Sequence, residues 1–167
     1  MEKQQVILHT GGNLGNRIDN LKTARQHISN RIGPIVRASN IYQTQAWGIT
    51  NQPDFLNQAL IVETLYSPWR VLKKILSIES QMGRKRNDKW TARLIDIDLL
   101  FYEDKIINTA DLIVPHPFLH LRNFVLAPLV EIAPKKWHPI LHSTATQLYE
   151  ASTDPLEVSL LEKPVPG

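Results

Sequence analysis

The chain has no cysteine among its 167 residues. That absence removes disulfide bridges, thiolate zinc sites, iron–sulfur clusters and cysteine nucleophiles together, and it suits a reducing cytoplasm. No stretch approaches the roughly 18 consecutive apolar residues that a membrane span needs, and Met1-Glu2-Lys3-Gln4-Gln5 leads into no signal-peptide core. Neither secretion nor membrane association is expected. There is no internal repeat and no low-complexity block, and the phosphate-cradling pattern G-x-x-x-x-G-K-[ST] is missing, which excludes a P-loop enzyme.

What remains is an ordinary globular composition, 43% apolar and 21% charged, with a formal net charge of +3. The mild basic excess suits polyphosphate or nucleic acid without distinguishing them. A chain of this length predicts one compact domain over residues 1–167, burying roughly 70% of its unfolded surface, with no second catalytic unit fused to it. From Ala151 the composition shifts, with Pro155, Pro164 and Pro166, and residues 151–167 read as a flexible tail.

Gln5 to His9 reads as a strand closed by a tight turn at Thr10-Gly11-Gly12-Asn13. Ile18, Leu21, Ile28 and Ile32 mark one helix face, stopped by Gly33-Pro34. Ile35 to Tyr42 and Phe55 to Thr64 read as strands joined by a long connection. Ser67-Pro68 then starts a second helix with the stripe Val71, Leu72, Ile75 and Ile78, ended by Gly83. A strand follows from Leu94 to Tyr102, then a turn at Glu103-Asp104, strand-like pieces at Lys105 to Ile107 and Leu112 to Val114, and a helical pattern near Asn123 to Val130. The order β-α-β-β-α-β predicts an α+β fold of ferredoxin-like type, an antiparallel sheet with helices on one face and the opposite face free for a ligand.

The sharpest chemical signal is Ile95-Asp96-Ile97-Asp98-Leu99. Alternation puts Asp96 and Asp98 on one strand face, their Cα atoms about 6.6 Å apart, while Ile95, Ile97, Leu99 and Phe101 are expected on the other, in the core. Two adjacent carboxylates repel each other and resist desolvation, so the pair calls for a cation; hard oxygen ligands at this spacing favour Mg²⁺, up to two ions. Ahead of this strand, Gly83 to Arg93 carries five basic residues around Trp90, a composition fit to grip phosphate and to stack a base. A bare basic loop would be a solvated surface; beside a carboxylate pair it suits a nucleotide polyphosphate held as its magnesium complex. His116 between Pro115 and Pro117 is a candidate phosphate contact, and its spacing to His120 lacks the companions of a zinc site.

The ordered set Gly11-Gly12-Asn13-Leu14-Gly15, Tyr42-Gln43-Thr44, Gln52-Pro53-Asp54-Phe55-Leu56-Asn57, Ile78-Glu79, Gly83-Arg84-Lys85-Arg86, Trp90 to Asp98, Pro115-His116-Pro117 and Arg122 to Leu129 resembles the 6-hydroxymethyl-7,8-dihydropterin pyrophosphokinase family of folate biosynthesis, over about four-fifths of the chain. The resemblance implies a transfer of diphosphate from ATP, the co-substrate, to the hydroxymethyl group of a pterin alcohol, with AMP released. It implies two Mg²⁺ ions on Asp96 and Asp98, with Arg84 and Arg93 beside them in catalysis. ATP would be held by Arg84, Arg86, Arg93, His116 and Arg122, with Glu79 and Trp90 near the nucleoside. The pterin would lie between Phe55 and Phe124, with Asn57 and Thr44 reading its edge, and with Trp47 and Asp96 in the same pocket. The chain departs from the family pattern at Gly12, Ala46, Trp47, Thr91 and Ala92.

Two rivals are weaker. An RNA-binding module would carry aromatic and basic residues on its exposed strands, where this sequence places two acids. A glycosyltransferase using Asp-x-Asp would need a longer, parallel α/β pattern. The partners expected are therefore small molecules, with no nucleic acid and no membrane, for a monomer.

Overall fold

The computed structural model describes residues 2–45, 52–83 and 94–161. Strand β1 (Gln4–Gly12) is buried from Val6 onward and continues through Thr10, Gly11 and Gly12, where the sequence suggests a turn. Gly11 pairs with Asn57 on one side and Asp96 on the other, and these ladders outweigh glycine's weak strand preference. The turn begins at Asn13, with Gly15 at φ 68°. Helix α1 (Arg17–Arg31) starts at Asn16, whose side chain accepts the Asp19 N–H, and buries Leu21, Ala24 and Ile28. Ile18, in the first turn, is exposed instead of joining the stripe. A Cβ at Gly33 would sit 1.8 Å from the Glu63 carbonyl oxygen, so glycine alone lets the chain leave α1 this close to its neighbour.

The single strand expected over Ile35 to Tyr42 is two, β2 (Ile35–Ala38) and β3 (Tyr42–Thr44). Ser39 breaks it: its Oγ accepts the Ala59 N–H at 2.9 Å and its carbonyl accepts Gln58 Nε2 at 2.7 Å. Then come β4 (Phe55–Thr64), α2 (Pro68–Gln81) capped by Ser67, and β5 (Asp96–Tyr102). A small hairpin of β6 (Ile107–Asn108) and β7 (Ile113–Val114) leads through a 3-10 turn at Leu119–Leu121 into α3 (Asn123–Ile132). A second hairpin, β8 (Trp137–His138) and β9 (Ser143–Thr144), precedes α4 (Ala145–Glu150) and β10 (Val158–Leu160).

The main sheet is antiparallel, in the order β10-β3-β4-β1-β5, with β2 also on β4. Against one face α1 and α2 build a dry core from Val6, Leu8, Leu60, Ile75, Ile78 and Ile97 among others. The opposite face is not left free, as the sequence suggests. Because α3 is apolar around most of its girth, it needs a partner, and Ile7, Ala59, Ile61 and Phe101 supply one, packed on Val125, Leu126 and Leu129. Helices therefore cover parts of both faces.

Phe101 belongs to that second cluster, not to the first where strict alternation puts it. Leu8 pairs with Leu99 while Ile7 pairs with Phe101, so Leu100 is one residue too many and the bulge moves Phe101 across the sheet. The expected flexible tail is also revised over 151–161. There β10 pairs with β3, Leu161 N–H donates to Ile41 C=O at 2.9 Å, and Asp154 is bonded to α3; residues 162–167 lie outside the described ones. No helix among the described residues is long and apolar enough to cross a membrane.

Candidate active site

Beyond the reach of the second cluster, the α3 face of the sheet opens into a cavity of about 1050 Å³. Its floor is strand. Asp96 and Asp98 of β5 both line it half-exposed, while Ile97 and Leu99 between and after them are buried in the first core cluster and meet the cavity only as part of its lining. Register places Gly11 beside Asp96 and His9 beside Asp98, with Asn57 across β1 from Asp96. The floor at Gly11 is low because nothing projects from it: a Cβ there would meet Asn57 Oδ1 at 3.0 Å and His9 Cε1 at 3.4 Å.

The walls carry the remaining expected residues that lie among the described ones. Phe55 opens β4 and Phe124 opens α3, both half-buried and both on the cavity. Asn57 Nδ2 donates to Thr44 Oγ1 at 3.1 Å, so these two buried polar groups fix each other at the pocket edge. His116 and Arg122 line the opposite part. The Arg122 guanidinium carbon lies 5.3 Å from the Phe118 ring centre and 5.7 Å from that of Phe124, a cation held between two aromatic faces.

Glu79 also reaches the cavity lining, yet it is only 3% exposed, and its Oε2 accepts the Ile97 N–H at 2.8 Å. It thus ties α2 to the residue between the two aspartates, besides any contact with a nucleoside. Trp47, Arg84, Arg86, Trp90 and Arg93 lie outside the described residues. Asn13, one of the motif residues, is fully buried and its Nδ2 donates to Gln52 Oε1 at 3.1 Å and to Pro53 C=O at 3.2 Å. Two motif fragments separated by some forty positions are one structural staple.

Sequence reasoning missed His9. It is 3% exposed, packs at 5.7 Å on the Phe124 ring, and donates from Nε2 to the Phe124 carbonyl at 3.2 Å. Burial lowers its pKa to about 4 against the pull of Asp98 and of that carbonyl, with His116 and Arg122 adding to the drop. Burial likewise lowers His116 to about 4, and Arg122 contributes. Because His116 Nδ1 accepts the Phe118 N–H at 3.2 Å, the neutral ring carries its proton on Nε2. Both histidines are therefore uncharged near pH 7. Only the pairing of β1 with β5 brings His9 to Asp98, and that register is a long-range fact that no local pattern announces.

The donor set suits magnesium. Two half-exposed carboxylates one residue apart on a strand face offer hard oxygens to one cavity, and among the described residues no further histidine, cysteine or acid joins them in a ready-made cage. Such a pair fits a cation that takes its other ligands from phosphate and water. Two aromatic side chains, a carboxylate couple, a neutral N–H donor and a guanidinium on one cavity can hold a ring bearing a hydroxyl beside a polyphosphate.

Comparison with known proteins points the same way. Residues 7–134 match the model of the family described as 7,8-dihydro-6-hydroxymethylpterin-pyrophosphokinase. The chain is 43% identical to the 2-amino-4-hydroxy-6-hydroxymethyldihydropteridine pyrophosphokinase of Aquifex aeolicus over 81% of its own length and 84% of the relative's. It is 39% identical to the protein of the same name from Synechocystis over 87% of its length and 74% of the relative's. The fold is shared with wild-type Plasmodium falciparum HPPK-DHPS at a TM-score of 0.73 and 18% identity, covering 89% of this chain and 44% of that one. The chain belongs to the 7,8-dihydro-6-hydroxymethylpterin pyrophosphokinase family.

Proposed function

We propose that the cavity on the α3 face is where this ATP-dependent pyrophosphokinase of folate synthesis brings its two substrates together. The chain transfers diphosphate from ATP to hydroxymethyldihydropterin. The observation that carries the site assignment is the convergence of Asp96, Asp98, His116 and Arg122 with Phe55 and Phe124 on one cavity.

In this reading the pterin ring slides between Phe55 and Phe124, where stacking favours a flat ligand, and Asn57 and Thr44 present hydrogen-bonding atoms to its edge. Arg122 and the Nε2–H of His116 hold phosphate oxygens, one as a fixed cation and the other as a neutral donor. Arg84, Arg86 and Arg93 are assigned to the same triphosphate, Arg84 and Arg93 close to the transfer, and Trp90 and Glu79 to the nucleoside; Trp47 is assigned to the pterin side. Asp96 and Asp98 would hold two magnesium ions, whose chemistry is to neutralise the polyphosphate and to acidify the attacking hydroxyl. The hydroxyl oxygen bonds to the β-phosphorus and gives its proton to solvent, the bond from that phosphorus to the α,β-bridging oxygen breaks, and AMP leaves. No side chain needs to act as nucleophile. Burial of the floor and a dry slot around the ring strengthen each of these polar contacts.

The same reading takes the chain as a single ferredoxin-like domain working as a monomer in the cytoplasm. It is supported by the strand order β3-β4-β1-β5 and by the lack of cysteine. Incubation with ATP, the pterin alcohol and Mg²⁺, with nucleotides resolved by ion exchange, is expected to give AMP and diphosphorylated pterin in equal amounts. Production of ADP, or no consumption of the pterin, would overturn the proposal.

A further inference from the structure

A segment beyond the family match lines the cavity. After α4 the chain runs extended from Thr153 to Leu156 along the cavity before joining the sheet as β10, and all four residues line it. The segment has an in-and-out rhythm: Ser152, Asp154, Leu156 and Val158 are half-buried while Thr153, Pro155 and Glu157 are exposed. A solvated tail has no reason to alternate; a strap lying on a surface does.

The strap is fastened at both ends to elements that carry ring-pocket residues. At one end Asp154 Oδ2 accepts the Asn123 N–H at 2.8 Å and its carbonyl accepts Asn123 Nδ2 at 3.3 Å. Helix α3 has no cap of its own, since Arg122 at the N-cap position makes no side-chain capping bond. Asp154 supplies the missing acceptor from 31 residues away, at the turn that also presents Arg122 and Phe124. At the other end Val158 pairs with Thr44 and Leu160 with Tyr42. Between these fastenings Asp154 Oδ1 accepts the Leu156 N–H at 3.0 Å, which sets the path of the strap where Leu156 faces the cavity.

We propose that this strap is the outer wall of the ring pocket, with Leu156 a specificity-determining contact and Asp154 a positioning residue that holds Phe124 and the strap in mutual register. The proposal rests on the functional reading above. It assigns part of the choice of flat substrate to residues that the family match does not reach. Apolar contact from Leu156 favours an uncharged ring edge, whereas the phosphate groups, bound at Arg122 and His116, do not depend on it.

The test is calorimetric binding of the pterin alcohol in the presence of Mg²⁺ and a non-hydrolysable ATP analogue, with separate titration of the analogue, for wild type, Leu156→Ala, Asp154→Ala and Asp154→Asn. Leu156→Ala and Asp154→Ala are each expected to weaken pterin binding about tenfold while the analogue's Kd stays within about twofold. Asp154→Asn, which keeps one side-chain acceptor, is expected between them and wild type. Wild-type pterin affinity in a folded Leu156→Ala protein, or parallel losses for pterin and analogue, would overturn the wall. Should Asp154→Ala fail to fold, Leu156→Ala decides alone, because removing a half-buried rim side chain leaves the core intact. Absence of pterin binding by the wild type itself would instead overturn the functional reading, and the wall with it.

Discussion

The two faces of one sheet have been put to opposite uses. Against α1 and α2 the strands present an apolar surface packed into the larger core cluster, although the cavity also touches it at Leu72, Ile75, Ile97 and Leu99. Against α3 the same strands are apolar only as far as Ile7, Ala59, Ile61 and Phe101; beyond them come His9, which packs on Phe124, and then Gly11, Asn57, Asp96 and Asp98, which line the cavity. Strand β5 shows both uses at adjacent residues, since Ile97 and Leu99 are buried in the first face while Asp96 and Asp98 meet the cavity on the second. A closed face supplies folding free energy, roughly 1.5–3 kcal/mol for each large side chain fully buried. The open face leaves the two carboxylates half-exposed toward a ligand, and the closed one holds their backbone still.

If this division is right, the two faces should fail in different ways. Asp98→Asn should lower the rate of AMP formation by about a thousandfold while the melting temperature moves by no more than a few degrees, because a half-exposed carboxylate contributes little to folding. Normal turnover would break the comparison at its most important point. The converse change, Ile28→Ala on the closed face, should cost about 3 kcal/mol of stability by urea unfolding and leave turnover per folded molecule near wild type.

A third outcome concerns acid. His9 is buried with its pKa lowered from 6.5 to about 4. Between those values the unfolded chain binds the proton and the folded chain does not, so the stabilisation is present above pH 6.5 and is lost as pH falls toward 4. Unfolding free energy should drop by about 2 kcal/mol from this group between pH 7 and pH 5, and urea titrations of His9→Leu against wild type at the two pH values would read the difference. The smallest expected effect sharpens the floor itself. Gly11→Ala puts a methyl 3.0 Å from Asn57 Oδ1, so it should weaken pterin binding about fivefold, near 1 kcal/mol, with little change at the ATP analogue.

The closed face was largely legible in the sequence. Ser67 and Pro68 announce α2, its stripe Val71, Ile75 and Ile78 is buried as the spacing predicts, and β4 has its expected bounds. Alternation in Ile95 to Leu99 correctly separates the aspartates from the core. Legibility ended where distant segments decide. His9 meets Asp98 only through strand register, Asp154 caps α3 across 31 residues, and Glu79 bonds to the Ile97 amide across 18. Phe101 was misplaced because one inserted residue inverts a pattern without changing its apolar character. The second covered face was missed because an apolar α3 could be read from sequence while its partner surface could not.

The extra residue at Leu100 has a consequence for how this strand can change over time. Substitution of Leu100 by another aliphatic residue should be easily absorbed, and its deletion would remove the bulge, making Leu99 and Phe101 successive partners of Leu8 and Ile7 with Phe101 still toward α3 and Tyr102 still toward the closed face. Tyr102 would keep its face, on which its hydroxyl donates to the carbonyl of Tyr66 at 2.6 Å. Of the residues of β5, Leu100 is therefore the one whose loss the pairing on either side can absorb.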